Sequence, residues 1–424
     1  MTPVSVNFRR ACFGAFVIPD FRMSRAEFVA LVAMIFATVA FSMDAMLPAL
    51  PDIADELTPH DPARAPLILT AFFLGLGLGT FIAGPLSDAY GRKRMMVFGS
   101  ALYILAAAVA WVSQSLEIML IARVVQGLGA SGPRVVAMAV TRDLFAGREM
   151  ARIVSFIMIV FALVPGFAPA AAVGIIHLTG WRGIYLAFIA FSVISTIWMI
   201  LRLPETLPVA KRRPLQINLM RRALVEIFTH PTVRLSIIVQ TLAMAILIGM
   251  LMTVQQVYDV VYLRADTFPY WFGAAALISA SASWINALLV VRFGMRRLVT
   301  SAFAAQILLS GAVALFALTD LPEPYGFAVF VFWQFTLFLH AGLTLGNLNA
   351  IGMEPMGHIA GMAASVIGGL STVMAALLAA PVILLLDDQV TPIVIYVFGL
   401  AVVGFLLLLR MGRIERAESI GKAA

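Results

Sequence analysis

The sequence predicts an all-α integral membrane protein, with twelve transmembrane helices set as two pseudo-symmetric six-helix bundles. Three observations carry that prediction. Twelve long apolar stretches follow one another along the 424 residues, and each approaches the length a helix needs to cross the hydrocarbon core. Hydrophobic residues make up 62% of the chain and charged residues 12%, with a mean hydropathy of +0.99, whereas a soluble chain carries about twice that share of charge. The longest polar interruption falls between the sixth and seventh stretches, so it divides six spans from six. A membrane β-barrel would show ~10-residue alternating segments, and none are visible.

The elements follow in order. Residues 1–26 read as a cytoplasmic tail: Arg9, Arg10, Arg22 and Arg25 flank a short apolar run, Ala11–Ile18, that has no convincing cleavage site, with Met23 as an alternative start. The first bundle, 27–202, holds stretches at about 28–50, 66–87, 95–116, 118–141, 153–179 and 183–201. The linker, 203–232, is basic through Lys211, Arg212, Arg213, Arg221 and Arg222. Its Leu215–Phe228 segment has the pattern of an amphipathic helix lying on the inner surface. The second bundle, 233–410, holds stretches at about 235–258, 268–291, 298–318, 325–352, 359–386 and 389–409, and 411–424 form a second tail.

Charge placement orients the chain. Of the 29 Lys and Arg, only Arg64, Arg182 and Arg264 fall in loops on one side, and Arg123 and Arg134 lie within a stretch. The rest lie in the tails and in loops on the other side. By the positive-inside rule both termini are cytoplasmic, so the net charge of +7 marks topology and not nucleic acid. A lipid contact at Lys211, Arg212 and Arg213 is a minor alternative. The single Cys12 excludes an internal disulfide, and the five His show no metal-ligand spacing. No nucleotide loop, nucleophile cluster or large soluble domain appears, which argues against an enzyme and against a sensor.

Only three charges lie well inside the stretches: Asp44 in the first, and Arg123 and Arg134 in the fourth. A charge in the bilayer costs several kcal/mol unless paired or wet, so each is a functional candidate. At ~1.5 Å per residue, Asp44 and Arg123 both lie about 6–8 Å below the outer boundary, a matched depth that allows them to pair. Proton and substrate would then compete for one charged locus, and a static ion pair is the plainer reading. Arg134 follows Arg123 by three helical turns on the same side. Either the two form a positive ladder or, the reading favoured here, Arg134 reaches the inner interface or Asp143. Gln126, Gln255, Gln256, Tyr258, Gln334, His340 and Asn347 are candidates for lining a substrate cavity, although such residues more often join helices.

Two turns echo one another. GPLSDAYGRKR (84–94) follows the second stretch and ALLVVRFGMRR (287–297) follows the eighth, so Gly91 aligns with Gly294, Lys93 with Arg296 and Arg94 with Arg297. The first of these turns resembles the cytoplasmic signature of the major facilitator superfamily. The R-x-x-Q-G of Arg123, Gln126 and Gly127 resembles its second signature. SMDAMLPALPDI, WRGIYLAF (181–188), RLPETL (202–207) and NLNAIGMEPMGHIAGMAAS further resemble the bicyclomycin/chloramphenicol-resistance group of 12-helix drug:proton antiporters. VPGFAPAAAVG (164–174) keeps Pro165, Pro169 and Gly174 of the antiporter motif but has Ala172 where that motif has a packing Gly.

The resemblance implies a proton-coupled exporter of small amphiphilic compounds in the bacterial inner membrane. It would act as a monomer, without a cofactor, and be driven by the proton gradient. Helices one, four, seven and ten would line the cavity. Gly84, Asp88, Gly91, Arg92 and Asp143 would form a latch, with Arg92 bridging Asp88 to Asp143 and Asp88 near Ile359–Gly361. A narrow-specificity proton-coupled importer or metabolite exporter of the same fold is the alternative.

Overall fold

The computed structural model describes residues 23–212, 214–215, 217–316, 325–385 and 389–423. The tail residues 1–22, with Arg9, Arg10, Cys12 and Arg22, lie outside the described residues, as does Arg213. No strand occurs among the described residues.

Among the described residues, twelve helices of at least 20 residues form the body. In the first half they are α1 (Arg25–Asp44), α3 (Leu67–Tyr90), α4 (Arg92–Val112), α5 (Leu116–Leu144), α6 (Gly147–Thr179) and α7 (Gly183–Arg202). In the second they are α9 (Pro231–Gln256), α10 (Phe268–Phe293), α11 (Met295–Phe316), α12 (Tyr325–Met353), α13 (Ala360–Ala379) and α14 (Thr391–Ala423). Two shorter helices, α2 (Leu50–Leu57) and α8 (Ile217–Thr229), lie at opposite ends of the bundle. Nine helical segments among the described residues are long and apolar enough to cross a membrane, and one of them, Tyr325–Ile383, contains both α12 and α13. α5 and α10 complete the twelve.

Local chemistry sets the helix ends. Ser24 caps α1, its Oγ accepting from the Glu27 amide at 3.1 Å, and Ser115 does the same for α5. Pro231 occupies the first turn of α9, where no amide partner is needed. Gly91 and Gly294 each join the second helix of a half to the third, with φ of +106° and +80° and ψ of 149° and 154°. That backbone conformation is open to glycine alone, so the echo read in the sequence is a repeated turn in space. α14 continues past its apolar stretch to Ala423, so most of the predicted second tail is helical.

The halves are built alike. The second and third helices of each pack on the fourth, the first on the fifth, and the third on the sixth. The halves meet through α3 against α13 and α6 against α10, the second helix of one on the fifth of the other, as a pseudo-two-fold requires. The run Leu74–Gly79 makes the crowding around α3 possible. Gly75 and Gly79, four apart, lie against Val124, Leu128 and Ser131 of α5, while Gly77, turned about 200° round the helix, lies against Gly369 and Val373 of α13.

Both described chain ends lie at one end of the bundle, here the tail face; the other end is the far face. At the far face the halves are in contact: Thr70 of α3 donates to the sulfur of Met252 of α9 at 3.3 Å, and Gly166 of α6 touches Gly273 of α10. Glu56 in the last turn of α2 ties Trp181 and Arg182, just before α7, at 2.8 and 2.7 Å. At the tail face, α8 packs Ile227 and the partly buried Leu224 against Val233, Met356, Ala363 and Ile367, and leaves Arg221, Arg222, Val225 and Phe228 exposed. The amphipathic linker helix is therefore present, docked on the second half.

Candidate functional site

The fourth helix of the first half carries the most unusual interior. Arg123 is fully buried and uses its guanidinium in three directions: Nη1 donates to Gln126 Oε1 at 2.8 Å, Nη2 to the Ser42 carbonyl at 3.0 Å, and Nε to the Ile68 carbonyl at 3.4 Å. Its plane lies 4.5 Å over the Phe72 ring. The spacing of α5 makes this possible, because Arg123 and Gln126 share one helix face. Gly127, on the same turn, lets α3 approach at Phe72 and Leu76. Ser42 shares a 2.5 Å hydrogen bond with the Tyr103 hydroxyl, and the buried Tyr185 hydroxyl has no partner. One arginine thus joins α1, α3 and α5 through neutral groups.

The expected pairing of Asp44 with Arg123 is absent. Asp44 is buried, at 6% exposure, and no ion pair or hydrogen bond to its carboxyl is present among the described residues. Matched depth was correct but azimuth was not. Ser42 faces Arg123, and Asp44, two residues on, is turned about 200° away round α1. The arginine instead satisfies its donors on carbonyls and an amide.

Of the two ends expected for Arg134, the inner interface or Asp143, the second is taken: Asp143 binds Arg92 and Thr206. Arg134 is partly exposed, and its guanidinium lies 6.0 Å from the Phe161 ring centroid on α6.

The polar residues of the second half divide. Tyr258, just past the end of α9, donates to Gln334 Oε1 of α12 at 2.9 Å, inside a box of Phe268, Phe327 and Phe330. The Gln334 amide nitrogen and the Gln255 carbonyl oxygen are buried without partners, and Gln256 is half-buried one residue on. His340 and Asn347 are not on that face. His340 lies against α11, its Nδ1 3.4 Å from the Ala302 carbonyl and its ring 4.6 Å from Phe303. Asn347 donates to Asn286 of α10 at 2.6 Å. Helical periodicity turns both away from Gln334, so they join helices within the half.

At the tail face the residues of the GPLSDAYGRKR turn come together. Arg92 pairs with Asp88 at 2.6 Å and with Asp143 at 3.1 Å, and donates to Ser87 at 2.5 Å. Sequence reasoning missed Glu205. Its carboxylate accepts from the Arg92 and Lys93 amides at 2.9 and 3.3 Å, capping α4 where the helix dipole favours an anion. The second half repeats the plan: Arg296 pairs with Glu354 at 3.5 Å and with Glu415 at 2.6 Å. An arginine opening the third helix thus pairs with an acid at the end of the fourth in both halves, while the acid from the sixth binds the Arg92 and Lys93 amides in the first half and the Arg296 side chain in the second. Gly84 faces Ser365 near the start of α13, while Asp88 pairs within its own half. In α6, Pro165 and Pro169 are inside the helix as expected. The glycine in close contact is Gly166, against Gly273, and nothing lies near Gly174.

A family model described as Major Facilitator Superfamily matches residues 32–379. An uncharacterized MFS-type transporter, YdgK, of Bacillus subtilis (strain 168) is 27% identical over 400 residues, covering 89% of this chain and 93% of that protein. A bicyclomycin resistance protein homolog of Haemophilus influenzae is 26% identical over 380 residues, covering 89% and 93%. A chloramphenicol resistance protein of Pseudomonas aeruginosa is 31% identical over 177 residues, covering 42% of each. Among solved structures, a peptide transporter POT in complex with sulfate superposes with a TM-score of 0.72 at 12% identity, covering 92% of this chain and 94% of that one. A D-xylose-proton symporter superposes at 0.71 and 12% identity, covering 91% and 97%.

Proposed function

The chain belongs to the Major Facilitator Superfamily, and on that premise we propose that it exports small amphiphilic drug-like compounds in exchange for protons by alternating access. The carrying observation is Asp44, a buried carboxyl on the first helix with no ion pair to offset its charge. Binding or releasing a proton there changes the local charge by a full unit. Arg123, held on neutral groups nearby, gives the same region a fixed positive charge. A substrate entering between the halves alters the field at both. The relatives named for bicyclomycin and chloramphenicol resistance support a drug-like substrate. The proton gradient supplies the energy, at about 2.3 kcal/mol per charge and 100 mV. The setting is the bacterial inner membrane with both termini cytoplasmic, which makes the tail face the inner face, and the working unit is a monomer.

Inverted membrane vesicles energised to an acidic interior test this reading. Substrates within a panel of cationic, neutral and anionic drugs and metabolites should alkalinise the interior, and Asp44→Asn should abolish the response. A response that survives Asp44→Asn removes Asp44 from the mechanism. Silence across the panel, with folded protein present, favours the narrow-specificity importer or metabolite exporter, a reading that the partly exposed Arg134 also supports.

A further inference from the structure

Arg134 stands ten residues from the tail end of α5, about 15 Å along the axis. That is deep enough that an unmatched cation is costly. The acids on that side of the first half are already engaged. Asp143 holds Arg92, Glu27 holds Arg202 at 2.6 Å, and Glu149 holds Arg25 at 2.9 Å. Asp44 ends α1 eight residues, or about 12 Å, beyond Phe36. Phe36 meets Phe161 edge-on at 6.0 Å, and Phe161 lies beneath the Arg134 guanidinium. Unlike Arg123, whose donors are spent on the bundle, Arg134 remains partly exposed with its fork undirected.

We propose that Arg134 and Phe161 form an organic-anion recognition site, selecting amphiphiles that carry a carboxylate or sulfonate on an aromatic body. The guanidinium fork matches the paired oxygens of such a group, and the ring edges and faces of Phe161 and Phe36 take the apolar part. This names a substrate class for the transporter and rests on the transporter reading above.

The probes are 1-anilinonaphthalene-8-sulfonate and N-phenyl-1-naphthylamine, which share an aromatic body and differ by the sulfonate. Saturable binding of each to the purified full-length protein in detergent micelles gives an affinity ratio. The wild type should favour the sulfonate about ten-fold, equivalent to ~1.4 kcal/mol. Arg134→Gln should bring the ratio to about one, Arg134→Lys should keep part of it because the charge stays but the fork is lost, and Phe161→Leu should weaken both probes. A wild type without preference, or an Arg134→Gln variant that keeps it, overturns the site. If Arg134→Gln does not fold, Arg134→Lys decides, since an unchanged ratio there also overturns recognition by the fork. The vesicle assay separates the two readings. Proton movement without anion preference ends the site alone, and Arg134-dependent preference in a chain that moves no protons ends the antiport reading alone.

Discussion

The two halves share a frame and differ in what they hold. Both turn on a glycine at positive φ, and in both an arginine opening the third helix pairs with an acid at the end of the fourth, the first half adding Asp88 of α3 and the second Glu415 of α14. Inside, the first half carries Asp44, Arg123 and Arg134, while the matching region of the second is neutral and aromatic. The contrast sharpens on the fourth helices. Arg123-Val124-Val125-Gln126 on α5 stands opposite Val331-Phe332-Trp333-Gln334 on α12. Both glutamines are fully buried, both accept through Oε1, and both leave Nε2 without a partner. The donor to the first is an arginine and to the second a tyrosine. Architecture is thus duplicated while charge is confined to one half, as expected if one half carries the proton chemistry and the other shapes an apolar wall.

The largest test erases that difference. Arg123→Val gives α5 the residue found at the equivalent place in α12. It removes three hydrogen bonds and leaves Gln126 Oε1 and its neighbours without a donor inside the bundle. Substrate-driven proton movement, normalised to folded protein, should fall at least about a hundred-fold, a loss near 2.7 kcal/mol. Arg123→Lys should recover little, because an ammonium lacks the planar fork that reaches two carbonyls and an amide at once. Transport within about ten-fold of wild type in Arg123→Val would break the assignment of charge chemistry to the first half.

Next in size is the contact that joins the halves. A Cβ on Gly77 would sit 2.7 Å from Val373 Cγ2 and 2.8 Å from the Gly369 carbonyl, and the backbone oxygen cannot yield. Gly77→Val should cost about 1–3 kcal/mol, read as a lower melting temperature and reduced transport. Gly174→Ala on α6 should change neither, since nothing lies within 4 Å of the added carbon. Equal effects would mean that α3–α13 is no tighter a contact than the far end of α6.

These contacts show what the sequence made legible. The twelve apolar stretches each overlap one of the long helices among the described residues, since the bilayer demands length and apolarity that few other folds need. The glycine–basic turns gave the duplication. Azimuth was not legible. Asp44 and Arg123 matched in depth, yet two residues of helix rotation separate the carboxyl from the face that Arg123 binds. Residue type makes His340 and Asn347 cavity candidates, and 100° per residue turns them toward α11 and α10. Glu205, within RLPETL, is not legible as a cap, because its partners are backbone amides that no residue pattern announces. Leu74–Gly79, with a glycine at every second position, was a readable sign of a helix crowded on two sides.

The smallest effect separates the two tail-face networks. Arg92 is 7% exposed and its second-half counterpart in sequence is Met295, whereas the networked Arg296 is 44% exposed. Arg92→Met leaves Asp143, itself only 23% exposed, with Thr206 as its remaining partner, and frees Asp88 to solvent. The cost of removing one side of such a pair grows with burial, so about 2 kcal/mol is expected. Arg296→Met leaves Glu354, 62% exposed, to solvent, and Glu415, though 14% exposed, keeps another partner, so the change should cost under about 1 kcal/mol. Thermal unfolding of the two variants in the same detergent compares them directly. A larger loss for Arg296→Met would place the structural weight of the repeated turn in the second half, and the charge network of the first would then be free to break and re-form during transport.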